Sequence, residues 1–305
     1  MDNIFFSIII PTYNRELYIR DTIISVLGQT FTDFEILVID NYSTDNTLAI
    51  IESFKDNRIF FYQNQENYER CYSRNRGIAL SKGQFILLLD SDDLFEPNHL
   101  QEWYEFINQR DSQTKVFYVS EKKILFNDII EVQNNTKLKE HPVAYFFQNP
   151  ILPGQVCIPS IIAKKHFFRN DLLIFEDAAL WMELALENQV VFNSISTFIY
   201  RNHEDNSVNV IKHNAYFLRL KAIRKLLQEK TFSKFIYQKR FALNACYMGI
   251  IRYHEYNSNR ITRFMWILKA LVLFPEFGFK NKLLLFLNVI PILSNLNYFK
   301  NRRLY

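Results

Sequence analysis

Short apolar runs alternate with amphipathic stretches through the first hundred residues. Residues 5–10 form a β-branched and aromatic run, broken by Ser7 and closed by Pro11, that reads as a buried strand. Helical spacing follows at Leu17, Ile19, Ile23, Ile24, Val26 and Leu27. Residues 34–39 read as a second strand ending in Asp40-Asn41, 44–54 as a helix, 58–62 as a short strand and 71–80 as a helix ended near Gly83. The run 85–89 is a further buried strand, and Asp90-Ser91-Asp92-Asp93 follows it directly. Strand and helix in alternation predict a mostly parallel, doubly wound sheet. In such sheets ligands bind outside the carboxyl ends of the strands, where these acids lie. Carboxylates this close repel unless a cation or a proton relieves them. A hard divalent metal between carboxylates and a substrate diphosphate is the obvious relief, so the cluster points to phosphate-bearing chemistry.

Beyond Pro97 the pattern predicts a helix over 100–108, a strand over 116–120, a hairpin and loop over 123–140 and a short strand over 160–163. A helix over 178–187 follows Glu176-Asp177, and 190–192 and 198–200 read as short strands. From about residue 209 the reading is all helix, over 215–229, 232–257, 261–273 and 282–293. Two domains are therefore expected, 1–208 and a helical extension 209–305. The longest apolar run, 283–293, is interrupted by Asn288 and Pro291 and is short of the roughly 20 residues of a spanning helix. Neither a GxGxxG fingerprint nor a P-loop is present.

A hydrophobic share of 49% with 22% charged residues excludes a disordered chain. Cys71, Cys157 and Cys246 lack disulfide or metal spacing, and residues 1–4 lack the features of a signal peptide, so a cytoplasmic protein is expected. The net charge of +4 is uneven, with the basic excess in residues 211–305. There Phe264, Trp266, Phe274, Phe277, Phe279, Phe286 and Phe299 stand among Lys269, Lys280, Lys282, Lys300, Arg302 and Arg303. That mixture suits peripheral attachment to an anionic membrane surface better than nucleic acid. A helical subdomain that packs on the sheet or forms a homodimer fits the same pattern equally well.

Several motifs occur in one order. Pro11-Thr12-Tyr13-Asn14-Arg15 follows the first strand, Ser25-Val26-Leu27-Gly28-Gln29-Thr30 closes the first helix, and Asp40-Asn41-Tyr42-Ser43-Thr44-Asp45 follows the second strand. Arg74-Asn75-Arg76-Gly77 precedes the acidic cluster, Glu176-Asp177 precedes Leu180-Trp181, and Tyr200-Arg201-Asn202-His203 comes last. Each motif alone is weak, but the ordered series is specific. Over residues 4 to 208 the chain resembles family 2 glycosyltransferases, the inverting enzymes of the GT-A fold.

The resemblance implies an α/β fold with a Rossmann-like sheet and a metal-dependent transfer of a sugar from a nucleotide-diphosphate sugar to an acceptor hydroxyl. It implies Mn²⁺ or Mg²⁺ on Asp93 and Asp92, with Asp92 also at the ribose, His203 near the metal or diphosphate and Asp90 as flanking support. Pro11, Thr12, Tyr13, Asp40 and Asn41 match nucleotide-pocket positions. A second acid is usual where Asn41 stands, and the Asn41 carbonyl can accept a uracil N3–H while its amide can donate. Uridine is therefore the default base. Arg74, with Arg70 or Arg76, is expected at the diphosphate or base. Asp177 matches the catalytic base, with Glu176 in reserve. The implied acceptor is a glycan or lipid-linked glycan of bacterial surface polysaccharide (capsule, LPS or exopolysaccharide).

Plainer roles stand beside these: Asp40 and Asn41 as a turn, Thr44 as the next helix cap, Glu176 and Asp177 as capping acids, the arginines as solvated charges and Trp181 as core. A processive synthase is disfavoured by the lack of spanning helices and of a Gln-x-x-Arg-Trp motif. A nucleotidyltransferase is disfavoured because the first loop is not rich in Gly and Lys. A catalytically inactive nucleotide-sugar-binding protein is disfavoured by the presence of Asp92, Asp93 and Asp177.

Overall fold

Seven consecutive buried residues, Phe6–Thr12, form β1 at the heart of the sheet. The computed structural model describes residues 4–110, 115–126, 129–133, 142–149, 151–206, 215–232, 235–256, 260–276, 278–279 and 282–283. Two compact units result, Met1–Leu172 with Glu176–Asn206, and Leu173–Phe175 with Ser207–Tyr305.

In the first unit β1 pairs in parallel with β2 (Phe34–Asp40) on one side and β4 (Phe85–Leu88) on the other, and β2 pairs with β3 (Ile59–Gln63). Antiparallel β9 (Val156–Pro159) joins β4 to β6 (Val116–Val119), and β10 (Gln189–Phe192) pairs in parallel with β6. The order is β10-β6-β9-β4-β1-β2-β3. Connections run through α1 (Ile19–Leu27), α2 (Thr47–Glu52), α3 (Glu69–Leu80), α4 (His99–Asn108) and α5 (Pro142–Gln148), then α6 (Ser160–Ala163) and α7 (Glu176–Glu187).

Pro11 lies inside β1 because Ile9, two residues earlier, already faces β4, where its carbonyl accepts from the Leu89 N–H. Pro11 therefore faces that side past the last β4 rung, where its missing N–H loses no ladder bond. Phe6, Ile8 and Ile10 meet Ile19, Ile23 and Val26 of α1 in the core. On the other face Gly77 lets α3 descend: a Cβ there would stand 2.3 Å from Ile9 Cγ2.

Two expectations needed correction here. Residues 160–163 form α6, and the strand is Val156–Pro159, whose backbone pairs with β4 on one side and β6 on the other. Thr44 does not cap α2: its N–H goes to Asn14 Oδ1, while Asp45 Oδ1 accepts the Thr47 N–H.

A second sheet of four strands, β5 (Leu94–Phe95), β11 (Phe198–Arg201), β7 (Lys122–Phe126) and β8 (Ile129–Gln133), was not anticipated as a separate layer. β11 is antiparallel to β5 and parallel to β7, so the chain after β11 leaves beside the acidic turn.

The second unit contains α8 (Ala215–Leu227), α9 (Ile236–Tyr256) and α10 (Arg260–Leu273), with Ile223, Leu226, Cys246, Ile250, Ile267 and Ala270 in its core. Of the aromatics that fitted either a membrane face or a packed subdomain, Phe274 is buried, and Trp266 meets Phe217 at 5.6 Å and Tyr247 at 4.9 Å. Most of the expected helix 282–293, together with Phe277, Phe286, Phe299, Lys280, Lys300, Arg302 and Arg303, lies outside the described residues. Among the described residues no helix is long and apolar enough to cross a membrane.

Candidate active site

The carboxyl ends of β1, β2 and β4 bring Thr12, Asp40 and Asp90 to one edge of the sheet, and the β1–β2 register sets Thr12 opposite Asp40. Asp40 is fully buried and closes the following turn, accepting from the Ser43 N–H at 3.0 Å and Gln63 Nε2 at 3.1 Å. Asn41 is also buried. Its Oδ1 accepts from Asn64 Nδ2 at 2.9 Å and the Tyr68 N–H at 3.1 Å, while its Nδ2 donates to Asn67 Oδ1 at 2.6 Å. Backbone N–H donors to Asn41 and Asn67, and Arg76 on Asn64 Oδ1, settle which way these amides face. Both lone pairs of the Asn41 carbonyl are thereby engaged, so what this side chain has left to offer is an N–H. Tyr13 is exposed beside it, and the buried Thr12 Oγ1 has no hydrogen-bond partner among the described residues.

Asp90-Ser91-Asp92-Asp93 forms a tight turn, with the Asp93 N–H on the Asp90 carbonyl at 3.0 Å. Protein cations meet each side of it. Asp90 takes Arg74 Nη2 at 2.7 Å, and Asp92 Oδ2 lies 3.2 Å from Arg15 Nε and 3.3 Å from His203 Nε2. Asp93 points inward, its Oδ1 accepting from the Arg201 N–H at 3.0 Å. Burial first, then the charges of Asp92 and Asp90, push the Asp93 carboxyl well above the usual carboxylate range. Lys122, buried on β7, senses the Asp93 charge; desolvation draws its ammonium down to about 8 despite that attraction.

Arg201 clamps the turn to α1. Its Nε donates to the Asp92 carbonyl, Nη1 to Asp21 at 3.1 Å, and Nη2 to the Tyr18 carbonyl at 3.2 Å and Thr22 Oγ1 at 3.1 Å. His203 stacks on the Tyr18 ring, 4.1 Å between centroids, and Tyr18 donates its hydroxyl to Asp205. Arg15, Tyr18, Lys122 and Arg201 carry no assigned role in the sequence reading. Arg15 and Arg201 stand inside quoted motifs, but their partners in the acidic turn lie 77 to 109 residues away.

A second group of charges lies where α3 meets the start of α7. Glu176 is buried and pairs with Arg70 Nε at 2.6 Å and Arg74 Nη1 at 3.1 Å. Burial alone would raise its carboxyl, but the two guanidiniums outweigh burial and hold it below the usual range. Asp177 lies 3.6 Å from Arg74 Nη1, and its buried Oδ1 accepts no hydrogen bond from the described residues. Burial, then the charge of Glu176, push Asp177 well above the usual range. Arg74 was expected at the donor diphosphate or base; its side chain is instead 3% exposed and engaged with Asp90, Glu176 and Asp177. Trp181 is core, its Nε1–H on the Ile151 carbonyl.

Among the described residues no group of three or more His, Cys, Asp or Glu side chains is arranged to hold a metal ion alone. The donor set nevertheless fits one shared with substrate. Asp92 and His203 converge within 3.3 Å, and Mg²⁺ or Mn²⁺ at a diphosphate takes few protein ligands, the rest being phosphate oxygens and water.

Comparison with known proteins places this edge in context. The fold matches that of S. aureus TarS residues 1–349 in complex with UDP-GlcNAc, with TM-score 0.62 and 21% identity over 94% of this chain and 82% of that one. It also matches the mannosyltransferase PcManGT of Pyrobaculum calidifontis in complex with GDP-Man and Mn²⁺, with TM-score 0.57 and 13% identity over 82% and 74% of the two chains. In sequence the chain is 28% identical over 219 residues to MJ1057, an uncharacterized glycosyltransferase of Methanocaldococcus jannaschii, covering 69% of this chain and 74% of that protein. It is 35% identical over 106 residues to TuaG of Bacillus subtilis, a putative teichuronic acid biosynthesis glycosyltransferase, covering 34% of this chain and 42% of that protein. The profile of Glycosyl transferase family 2 matches residues 7–159, from within β1 through the end of β9, and so takes in the acidic turn and every strand of the larger sheet but β10. The chain belongs to glycosyl transferase family 2 and is a glycosyltransferase of the GT-A fold.

Proposed function

We propose that this enzyme transfers a sugar, with inversion and with the aid of a divalent metal, from a nucleotide-diphosphate sugar to an acceptor hydroxyl. One observation carries the reading: a single guanidinium, Arg74, touches Asp90 of the acidic turn at 2.7 Å and lies 3.6 Å from Asp177. A donor-side acid turn and a carboxylate suited to accept a proton are therefore neighbours.

Asp92 and His203 would hold Mn²⁺ or Mg²⁺, with Asp93 as the buried acid behind them. Such an ion supplies Lewis-acid stabilisation of the charge that grows on a leaving diphosphate. Asp177 takes the proton of the acceptor hydroxyl, the hydroxyl oxygen bonds to the anomeric carbon, and the bond from that carbon to the diphosphate oxygen breaks. A base works best with a pKa near the working pH, and burial beside Glu176 raises Asp177 in that direction. Pro11, Thr12, Tyr13, Asp40 and Asn41 form the base and ribose subsite, with Asp92 reaching the ribose. The exposed Tyr13 ring provides a stacking face.

The donors in the TarS and PcManGT complexes, UDP-GlcNAc and GDP-Man, support a nucleotide-sugar donor, with UDP-hexose or UDP-N-acetylhexosamine as the first choice. The likeness to TuaG supports an acceptor glycan of surface polysaccharide assembly, free or lipid-linked. A further observation favours peripheral attachment to an anionic membrane: Ile261, Met265, Leu268 and Val272 form an exposed stripe on α10, whose sequence contains Arg260, Arg263 and Lys269 and no acid.

The test is nucleotide release and sugar transfer across UDP-, GDP-, dTDP- and CMP-sugars, with Mn²⁺ and after EDTA. Loss of turnover on chelation, restored by Mn²⁺ or Mg²⁺ and abolished in Asp92→Ala, is expected. Full turnover in EDTA would remove the metal from this account.

A further inference from the structure

Arg74 touches both halves of the site. It is carried on α3, which Gly77, one turn further on, allows to seat against Ile9 and Ile39. Its guanidinium lies 5.1 Å from the Phe168 ring centroid, inside a wall that keeps water off it. One arm, Nη2, bonds Asp90 Oδ1 at 2.7 Å; the other, Nη1, bonds Glu176 Oε1 at 3.1 Å and lies 3.6 Å from Asp177 Oδ1. Its Nε has no acceptor among the described residues. A solvated arginine does none of this. A planar fork reaching in two directions can join two carboxylate sites, where the ammonium of a lysine, a single point charge, cannot.

We infer that Arg74 is a positioning residue for sugar transfer: its fork aims Asp177 at the acceptor and ties it to Asp90 on the donor side. The inference rests on the reading of Asp177 as the base. The groups that face Asp177 are few. Glu176 is beside it on α7, and Arg70, Cys71 and Arg74 approach from α3, with Asp90 reached through Arg74. The Cys71 thiol, pushed up to about 12 by burial and Glu176, stays neutral. Arg70 is a third exposed and bonded to Glu176 at 2.6 Å, which leaves Arg74 as the buried cation nearest the base.

The sign follows from the charges. Without Arg74, ionised Asp177 loses its buried counter-charge, so a higher pH is needed to deprotonate it. Without the charge of Asp90, Arg74 acts more fully on Asp177, and a lower pH suffices.

The experiment measures kcat/KM against pH for the full chain with Mn²⁺, reading UDP release from UDP-GlcNAc or from whichever nucleotide sugar the donor panel selects. Arg74→Gln is expected to move the acidic limb up by on the order of one pH unit, and Arg74→Lys is expected not to restore it. Asp90→Asn moves the limb down, and in the double variant with Arg74→Gln it moves nothing further. A rate that falls equally at every pH, with the limb unmoved, overturns the inference. If Arg74→Gln does not fold, Asp90→Asn decides alone, and an unmoved limb overturns it. Full transfer by Asp177→Asn would bring down the base assignment itself. Loss of transfer in Asp177→Asn with an unmoved limb in the Arg74 variants would bring down only the role given to Arg74.

Discussion

Two pairs of adjacent acids stand in this site, Asp92-Asp93 and Glu176-Asp177, and the protein surrounds them differently. In each pair burial pushes the second acid upward, and the first is met by cations. The difference lies in the basic side chains around the first acid. Glu176 is 4% exposed and locked to Arg70 and Arg74, contacts that no ligand can replace without opening the core. Asp92 faces Arg15 and His203, side chains 21% and 14% exposed at the mouth of the site. On the proposed mechanism, one pair would exchange its partner for an incoming cation, and the other would hold a fixed charge beside a carboxyl that takes up a proton.

The comparison breaks first at Asp177. Asp177→Asn keeps the shape and removes the proton acceptor, and a fall in kcat on the order of 10³-fold is expected in steady-state assays, with the melting temperature kept or raised because a buried charge is gone. Arg201→Ala tests whether the turn depends on its clamp. Removing a side chain bonded to Asp92, Asp21, Tyr18 and Thr22 is expected to cost about 3 kcal/mol in denaturant unfolding. Unchanged stability would show that the turn holds without it. Glu176→Gln has the smallest effect on rate. It removes the like charge from beside Asp177 and frees two guanidiniums, so the acidic limb of kcat/KM shifts to lower pH by about one unit. A shift to higher pH would reverse the roles assigned within the pair.

The central sheet was legible because residues 6–12 and 34–40 are apolar enough to be buried on both faces. β9 was missed because Val156-Cys157-Ile158 is a three-residue apolar run among Pro and Gly, and its strand character comes from the neighbours on either side. The hairpin of β7 and β8 and the strand β11 were legible, but their union in a second sheet was not, because β11 pairs with β5 and β7 76 to 105 positions away in the chain. Among site residues, the acids were legible from their place at a strand end and a helix start. Their partners were not, because Arg201 meets Asp92 across 109 positions and Arg74 meets Glu176 across 102, and no local pattern encodes such contacts. The same holds for Arg74: a sequence shows a cation near an acidic strand but not which acids it faces.

At the far end of the sheet Ser7 bonds buried Glu35 at 2.7 Å, and Glu35 also accepts the Lys82 N–H at 2.6 Å. Ser7 and Glu35 are partners in the β1–β2 ladder, five rungs before Thr12 and Asp40. A slip of one rung would carry Glu35 across the sheet and leave its charge without a partner in the core. The misfolded pairing is therefore penalised at one end of the ladder, while the benefit appears at the other, where two strand tips finish level as the floor of the proposed nucleotide subsite.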